Sequence, residues 1–321
     1  PSAVGIQISG NYNTIEMCTV EGSQNTGVQI SRDGSADQSN GLKYLLWPSY
    51  NLVKNVESFD NCDPGRNDAD GFAAKLTSGE GNVFYGCIGH NNIDDGWDLF
   101  AKAISGTIGK VTIINSVAYD NGWLTTEDTS VPGYNNYGEG NGFKLGGNDL
   151  KGGHSLENSI SFNNAAKGIT SNSCPDNVIL NSTSFNNNIA TGIGYNVGLN
   201  KKPSNLMEWK VDGLISYSTT TSTADLIPFS LSSTTNYIHN GTASYNSVGE
   251  KAVESWFVNT DVTVKPTRNE DGTINMHGLL ELTESAPKTA GGRLDVTSEE
   301  AKSYYPEVNF NQDGVDTKPE I

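Results

Sequence analysis

The sequence has few cysteines, a deficit of positive charge and no long apolar run. Only 4 of its 321 residues are cysteine, which is too few for a fold held together by disulfide bonds. Lysine and arginine number 20 against 37 acidic residues, giving a net charge of −17. Such a surface disfavours nucleic acid and anionic membranes as partners. No apolar stretch approaches the roughly 18 residues that span a bilayer. An acidic polymer could bind only at a local cationic site.

Glycine and asparagine are abundant instead. The chain contains 36 glycines, and 35% of its residues are hydrophobic. Glycine and asparagine both tolerate left-handed backbone angles that most residues avoid. This composition is typical of many short strands joined by tight turns.

A seven-residue pattern recurs along the chain: Asn or Gly, a small or apolar residue, any residue, a small residue, an aromatic residue, any residue, and Asn. The clear copies read NVESFDN from Asn55, GCIGHNN from Gly86, NSVAYDN from Asn115, NSISFNN from Asn158 and NSTSFNN from Asn181. Weaker copies begin at Met17, Gly213 and Gly241. We expect the asparagines to form a hydrogen-bonded ladder and the aromatic residues to stack. These aromatic residues are Phe59, Tyr119, Phe162, Phe185 and Tyr245.

A glycine followed by a short alternating strand comes after six of these eight copies, all except those at Gly213 and Gly241. These glycines are Gly27, Gly71, Gly96, Gly142, Gly168 and Gly192. The closest-spaced copies are 23 to 26 residues apart, which fits one coil of several short strands. Longer intervals are insertions at a turn, the largest lying between Trp123 and Gly140. A repeat of this kind predicts an all-β, right-handed parallel β-helix. Leucine-rich repeats are the main alternative, but their Leu-x-x-Leu-x-Leu skeleton is absent.

The two ends of the chain depart from the repeat. We expect residues 1–250 to form the β-helix. Further coils are expected to precede it, because Met17 already lies in a coil and solenoids need capped ends. Residues 251–321 are predicted to hold C-terminal coils, an extension and a short helix beginning near Thr297, packed on the solenoid.

Two cysteines occupy the same position of the repeat. Cys18 and Cys87 lie two coils apart, which corresponds to about 10 Å at a strand spacing of ~4.8 Å. That distance is too long for a disulfide bond. We therefore predict buried, unpaired thiols.

Four aspartates lie at corresponding positions of two successive coils. Asp70 directly precedes the glycine of one coil, and Asp94, Asp95 and Asp98 flank the glycine of the next. Superposing the two glycines stacks Asp70 over Asp95 at a spacing of ~4.8 Å. Anions this close repel each other unless a cation lies among them. Oxygen ligands without His or Cys favour Ca²⁺ first and Mg²⁺ second. A solvated acidic turn is the alternative.

Lys144 is the candidate general base. Superposing Gly142 on Gly96 places Lys144 one coil from Asp98 and on the same face. It could simply neutralise Asp98. A nearby dication would lower the lysine pKa from its usual ~10.4, whereas the four acids favour the ammonium form. The size of the net shift is not predictable from sequence.

These groups together suit a β-elimination on a uronic acid. Removing the proton α to the carboxylate builds up negative charge, which a cation gripping that carboxylate would stabilise. The amine takes the proton and the 4-linked sugar leaves, giving an unsaturated product. Five further residues on these coils are predicted to bind the polymer: Arg66, Lys75, Lys102, Asn141 and Lys167.

Three segments resemble polysaccharide lyase family 9, the family of β-helix pectate lyases. They are NDADGFAAKL from Asn67, NNIDDGWDLFAK from Asn91 and GNGFKLGGN from Gly140, within a resemblance that covers roughly residues 51–188. The family also includes rhamnogalacturonan lyases, which these motifs do not separate from pectate lyases. The resemblance implies a right-handed parallel β-helix, Ca²⁺ as the metal and a lysine base. The implied residues are Asp70, Asp94, Asp95 and Asp98 for calcium and Lys144 for the base.

Four functions are compatible with these residues. The first is a Ca²⁺-dependent lyase acting on polygalacturonate (homogalacturonan), and the second is a rhamnogalacturonan I lyase with a wider groove. An inverting glycoside hydrolase needs an acid and a base carboxylate with room for water, and Asp94 and Asp95 could serve. A non-catalytic glycan-binding solenoid would bind pectin unchanged. A lyase on these plant cell-wall polymers is expected to be monomeric and secreted or held at the cell surface.

Overall fold

The structure is a computed structural model that describes residues 3–32, 46–128, 138–190, 194–220 and 222–294. The helix predicted from Thr297 lies outside these residues, as does Gly192 of the second pattern. None of the helices in the described part of the chain is long and apolar enough to cross a bilayer.

The chain winds into coils, and each coil adds one strand to each of three parallel sheets. Every sheet has seven strands, and neighbouring strands come from successive coils. Sheet A contains Ile6–Ile8, Val28–Ile30, Phe72–Ala74, Trp97–Asp98, Phe143–Lys144, Ile169–Thr170 and Val197–Gly198. Sheet B contains Thr14–Glu16, Leu52–Lys54, Asn82–Tyr85, Val111–Ile114, Ser155–Glu157, Val178–Leu180 and Lys210–Asp212. Sheet C contains Thr19–Glu21, Glu57–Phe59, Ile88–His90, Val117–Tyr119, Ile160–Phe162, Thr183–Phe185 and Ile215–Tyr217. The predicted parallel β-helix is confirmed.

Two left-handed backbone positions explain the seven-residue pattern. Its first residue has φ of 52° at Asn55 and 62° at Gly86, and its sixth has φ of 53° at Asp60 and 50° at Asn91. Asn, Asp and Gly adopt such angles at the lowest cost. The chain enters a strand of sheet C after the first residue of the pattern and leaves that strand at the sixth residue. These residue types therefore mark both ends of each sheet C strand.

A glycine precedes six of the seven described strands of sheet A, the exception being Val197–Gly198, which follows Asn196. The glycines at this position are required for space. A Cβ at Gly71 would lie 2.6 Å from Asn92 Nδ2, and one at Gly142 would lie 2.2 Å from Ser161 Oγ. Both distances are shorter than van der Waals contact, so a side chain there would push the backbone of adjacent coils apart. This column of glycines fixes the corner between sheets C and A.

A ladder of buried asparagine side chains runs along the same corner. Asn92 Nδ2 donates to Asn121 Oδ1 at 3.0 Å, Asn121 Nδ2 to Asn164 Oδ1 at 2.9 Å, and Asn164 Nδ2 to Asn187 Oδ1 at 2.8 Å. Asn164 Oδ1 also accepts the backbone N–H of Asn121 at 3.1 Å. The predicted ladder is confirmed, and it satisfies amides that water cannot reach.

An aromatic column runs along sheet C. Phe59, His90, Tyr119 and Phe162 stack with successive ring centroids 4.7, 4.7 and 4.9 Å apart, and Phe185 is the register partner of Phe162. The predicted stacking is confirmed for Tyr119 on Phe162. The sequence pattern did not identify His90 as the ring between Phe59 and Tyr119.

The four cysteines are unpaired. Cys87 is fully buried, as predicted, whereas Cys18 is half-buried. Burial raises the pKa of the Cys87 thiol to about 11. This thiol is therefore protonated at neutral pH and unreactive.

In the last strand of sheet A, Val197 is the register partner of Ile169. One strand prediction near the C-terminal coils is wrong. Tyr245 lies in an antiparallel hairpin of Ile238–His239 and Ser244–Tyr245, so the copy predicted at Gly241 is not a coil. The backbone N–H of Asn240 donates to Ala243 O at 2.9 Å, and this tight turn reverses the chain.

The C-terminal segment packs on the outer side of sheet C. Its short elements are the 3₁₀ helix Glu254–Trp256 and the hairpin of Thr267–Arg268 with Ile274–Asn275. A further 3₁₀ helix, Phe229–Leu231, comes earlier in the chain, and its Leu231 packs against the interior core of the coils. Buried Trp256, Phe257 and Leu279 cluster with Ile160 and Phe162 of sheet C. The division of the chain near residue 250 stays a prediction.

A buried histidine on sheet B makes stability depend on pH. His154 is 1% exposed, and its Nδ1 accepts the N–H of Val111 at 3.2 Å. Burial lowers the pKa of His154 from 6.5 to about 4. Between those pH values the unfolded chain takes up a proton that the folded chain refuses. Stability should therefore fall as pH drops from 6.5 towards 4, by at most about 3 kcal/mol from this residue.

We expect His154→Gln to reduce this acid sensitivity. The amide oxygen of the introduced glutamine can still accept the Val111 N–H, but this amide binds no proton in the pH range tested. Urea unfolding of both proteins at pH 7.5 and pH 4.5 checks this. The free energy of unfolding should fall by about 2–3 kcal/mol less in the variant. Equal losses in the two proteins would show that His154 is not responsible.

Candidate metal and catalytic site

Asp98 and Lys144 lie side by side on the outward face of sheet A. Trp97 and Phe143 belong to the core, and the alternation of side chains along a strand turns the next residue of each outward. Asp98 and Lys144 are direct partners in the register of adjacent strands. The register predicted from the glycines is therefore confirmed.

The predicted aspartates converge at this place. Asp70, Asp94, Asp95 and Asp98, hereafter the aspartate cluster, are each at most 4% exposed. One oxygen from each of Asp70, Asp95 and Asp98 lies within 4.8 Å of the others. A second group whose carboxylate oxygens lie within 4.8 Å of one another consists of Asp94, Asp95 and Glu139. The sequence reasoning missed Glu139, because it lies in the long insertion where the repeat gives no register.

Lys144 reaches into the aspartate cluster. Its Nζ lies 2.9 Å from Asp95 Oδ2, 3.8 Å from Asp98 Oδ1 and 3.0 Å from Glu139 Oε2. Its side chain is 9% exposed. The amine therefore stands at the edge between the carboxylates and the outer face of sheet A.

Lys75 reaches the cluster from the preceding coil. Its Nζ lies 2.7 Å from Asp70 Oδ2, 3.4 Å from Asp98 Oδ2 and 3.1 Å from Asp68 Oδ1. Its side chain is 7% exposed. Lys75 is one of the residues predicted from the sequence to bind the polymer. That role stays a prediction, and in the structure its ammonium lies among carboxylates.

Burial and mutual repulsion raise the carboxyl pKa values of Asp70, Asp94 and Asp95. Burial is the largest cause, and it raises the pKa of Asp70 to about 7. The pKa values of Asp94 and Asp95 are raised for the same reason. Burial by itself lowers the pKa of Lys144, but the attraction of the carboxylates, Asp95 first, outweighs it and the pKa is raised. Without further positive charge, the amine is held protonated.

The aspartate cluster fits a hard divalent cation. Its donors are all carboxylate oxygens, the set preferred by Ca²⁺ and Mg²⁺. Asp98 Oδ1 is buried and accepts no hydrogen bond from the described residues, and Lys144 Nζ lies 3.8 Å from it. A buried carboxylate oxygen without a hydrogen-bond donor is rare in proteins. Four buried aspartates against two buried lysines leave two negative charges, which one divalent cation would balance.

The segment before the Lys144 strand holds two of the aspartates. The backbone N–H and Nδ2 of Asn141 donate to Asp95 Oδ1 at 2.9 and 2.7 Å, and the backbone N–H of Glu139 donates to Asp94 Oδ1 at 3.0 Å. Asn141 Oδ1 accepts the N–H of Lys167 at 3.2 Å. Asn141 thus orients a carboxylate, and its predicted contact with the polymer stays a prediction.

The other residues predicted to bind the polymer lie on the coils that carry the aspartate cluster and Lys144, or on the next coil. Arg66 forms an ion pair with Glu127, with its NH2 2.8 Å from Oε1. Lys102 is exposed, and Lys167 is half-buried on the coil after Lys144. Their roles also stay predictions.

Fold and site together define a parallel β-helix protein with an acid-and-lysine site on one outer face. Residues 1–205 match the family model described as the Pel9A-like right-handed β-helix region. The chain belongs to this Pel9A-like family. The match confirms the predicted handedness and the resemblance to polysaccharide lyase family 9.

Several curated relatives carry the name pectate lyase L. The protein from Thermoclostridium stercorarium is 45% identical over 258 residues, which cover 80% of this chain and 20% of that one. The protein from Paenibacillus polymyxa (strain SC2) is 38% identical over 293 residues, which cover 90% of this chain and 59% of that one. The chain therefore spans only part of each relative's length.

Two solved structures share the fold. The crystal structure of pectate lyase Pel9A superposes with a TM-score of 0.63 at 29% identity, covering 88% of this chain and 61% of that one. A rhamnogalacturonan lyase superposes with a TM-score of 0.60 at 19% identity, covering 90% of this chain and 70% of that one. At that identity the second structure supports the fold alone.

Proposed function

We propose that the protein is a Ca²⁺-dependent pectate lyase that cleaves polygalacturonate by β-elimination. The observation that carries this proposal is the amine of Lys144, 2.9 Å from Asp95 Oδ2 and beside the aspartate cluster on the outer face of sheet A. A base and a carboxylate-binding site this close can act on neighbouring atoms of one sugar. The relatives named pectate lyase L support the same reaction.

Lys144 is the proposed proton acceptor. Its neutral amine takes the hydrogen from C5 of a galacturonate, the carbon next to the carboxylate. The electron pair of that C–H bond forms a double bond between C5 and C4 while the bond from C4 to the glycosidic oxygen breaks. The departing oxygen takes a proton from solvent. No water is consumed, and one product has an unsaturated end.

The charge of the aspartate cluster has to be offset before Lys144 can act as a base, because those carboxylates raise the pKa of its amine. Ca²⁺ bound there would supply that positive charge and would bind the uronate carboxylate. Asn141 and the backbone N–H of Glu139 keep Asp95 and Asp94 oriented throughout.

The polymer is proposed to lie across the strands of sheet A. Ala73 is the register partner of Asp98, and Thr170 that of Lys144. Both side chains are small and almost fully buried, so neither would project into a polymer that crosses this face.

Uronates next to the reacting sugar are proposed to meet Arg66, Lys102 and Lys167. Their positive charges would give an acidic protein the local cationic surface that an acidic polymer needs. Such a polymer is too large to enter a cell, so we also propose that the protein acts outside it.

One assay tests the proposal. Polygalacturonate and rhamnogalacturonan I are incubated separately with the protein, with Ca²⁺ or with EDTA. Near-ultraviolet absorbance should rise on polygalacturonate with Ca²⁺, fall at least about 100-fold in EDTA, and return when Ca²⁺ is restored. Mass spectrometry should show unsaturated product ends.

Other results of this assay would contradict the proposal. New reducing ends without absorbance, formed also in EDTA, would indicate a hydrolase. Polymer that is bound but unchanged would indicate a glycan-binding protein. A faster rise in absorbance on rhamnogalacturonan I than on polygalacturonate would identify rhamnogalacturonan I as the preferred substrate.

A further inference from the structure

Lys75 places a positive charge where the aspartate cluster would need a cation. Its ammonium lies 2.7 Å from Asp70 Oδ2 and 3.4 Å from Asp98 Oδ2. These two aspartates, with Asp95, form the group of carboxylate oxygens within 4.8 Å of one another. The side chain is 7% exposed, so the carboxylates and not bulk water balance its charge.

The two lysines of the site differ in the carboxylates that they contact. Lys144 lies nearest to Asp95 and Glu139, towards the outer face, whereas Lys75 lies nearest to Asp70. Asp70 is fully buried, and a buried carboxylate without a counter-charge is strongly destabilising. Lys75 therefore provides the main positive charge at the inner side of the cluster.

A third carboxylate gives Lys75 an alternative position. Asp68 Oδ1 lies 3.1 Å from the same ammonium, and the Asp68 side chain is 66% exposed. Lys75 can keep this ion pair at the solvent edge while it gives up Asp70 and Asp98. The exchange needs only a side-chain movement.

We propose that Lys75 is an exchangeable internal counter-ion, which neutralises Asp70 and Asp98 in the cation-free protein and moves towards Asp68 when a divalent cation binds. This inference rests on the cation site of the proposed function and not on the lyase reaction. Positive charges within ~4 Å of each other in a buried site repel strongly. Lys75 therefore weakens cation binding and stabilises the cation-free fold.

Calorimetric titration of EDTA-treated protein with Ca²⁺ tests the first consequence. Lys75→Met removes the charge and keeps most of the side-chain volume, and its Kd for Ca²⁺ should be at least about tenfold lower than that of the wild type. Lys210→Met is the matched control, because Lys210 is an exposed lysine of sheet B. Its Kd should stay within about twofold of the wild type.

Thermal unfolding tests the second consequence. In EDTA, Lys75→Met should unfold about 5 °C or more below the wild type, because Asp70 loses its counter-ion. Saturating Ca²⁺ should remove this difference. If the methionine variant does not fold in EDTA, Lys75→Gln, which keeps a hydrogen-bond donor, takes its place in both measurements.

An equal or weaker Ca²⁺ affinity in the variant would overturn the inference, since Lys75 would then help to organise the site and would not compete with the cation. An unchanged midpoint in EDTA would overturn it as well, and so would the absence of Ca²⁺ binding in both wild type and variants. Lyase activity of the wild type in EDTA is read separately. It would count against the proposed function and leave the titration interpretable.

Discussion

Replacing Lys144 with alanine is expected to lower turnover on polygalacturonate by about 10³-fold in saturating Ca²⁺. The change removes the amine that is proposed to take the proton, while Asn141 still holds Asp95. The initial rate of the rise in ultraviolet absorbance measures the effect directly, because the new double bond is the chromophore.

The fold should survive this change, because Lys144 lies on the outer face of sheet A and outside the core cluster. Circular dichroism and the unfolding midpoint in Ca²⁺ check this. Lys210→Ala, on sheet B, should keep the wild-type rate. A small primary amine added to the Lys144→Ala protein should restore part of its activity in proportion to the fraction of the amine that is neutral, whereas a purely charge-balancing role would depend on the ammonium form. Full activity of the alanine variant would show that another group is the base.

Replacing Asn164 with alanine should lower the free energy of unfolding by about 4 kcal/mol. Asn164 is fully buried, and its amide joins three coils through Asn121 and Asn187. It also donates to the carbonyl of Ala118 at 3.1 Å. Alanine removes these three hydrogen bonds in a place that water does not reach. Urea denaturation followed by circular dichroism measures the loss.

A surface asparagine provides the control for this prediction. Asn269 is exposed and donates to Thr273 Oγ1 in the C-terminal segment. Asn269→Ala should cost less than about 1 kcal/mol. A loss of similar size in both variants would mean that the ladder contributes no more than an ordinary surface hydrogen bond.

The sequence was sufficient to predict that Asp98 and Lys144 are neighbours, because the backbone of stacked coils sets the register of these residues. Gly71, Gly96 and Gly142 stack since no side chain fits at their corner. Residues at fixed offsets from these glycines must therefore lie in register. The pairing of Asp98 with Lys144 follows from that register alone.

The features that the sequence reasoning missed depend on other physics. Glu139 lies in an insertion, where the repeat pattern gives no register. The position of the Lys75 ammonium follows from the carboxylates gathered around a long, flexible side chain. The copy at Gly241 has the letters of a coil, but a turn at Asn240 reverses the chain, and the direction of a short strand is not encoded in its pattern.

The glycine corner has a consequence for how such a protein can change. The insertion between Trp123 and Gly140 leaves Gly142 hydrogen-bonded to the preceding coil, with Trp97 N–H donating to its carbonyl at 2.9 Å. Extra residues are thus accommodated at the turn and do not disturb the register of the strand that follows it. The register that aligns Asp98 with Lys144 is therefore independent of the length of the turn that separates their strands.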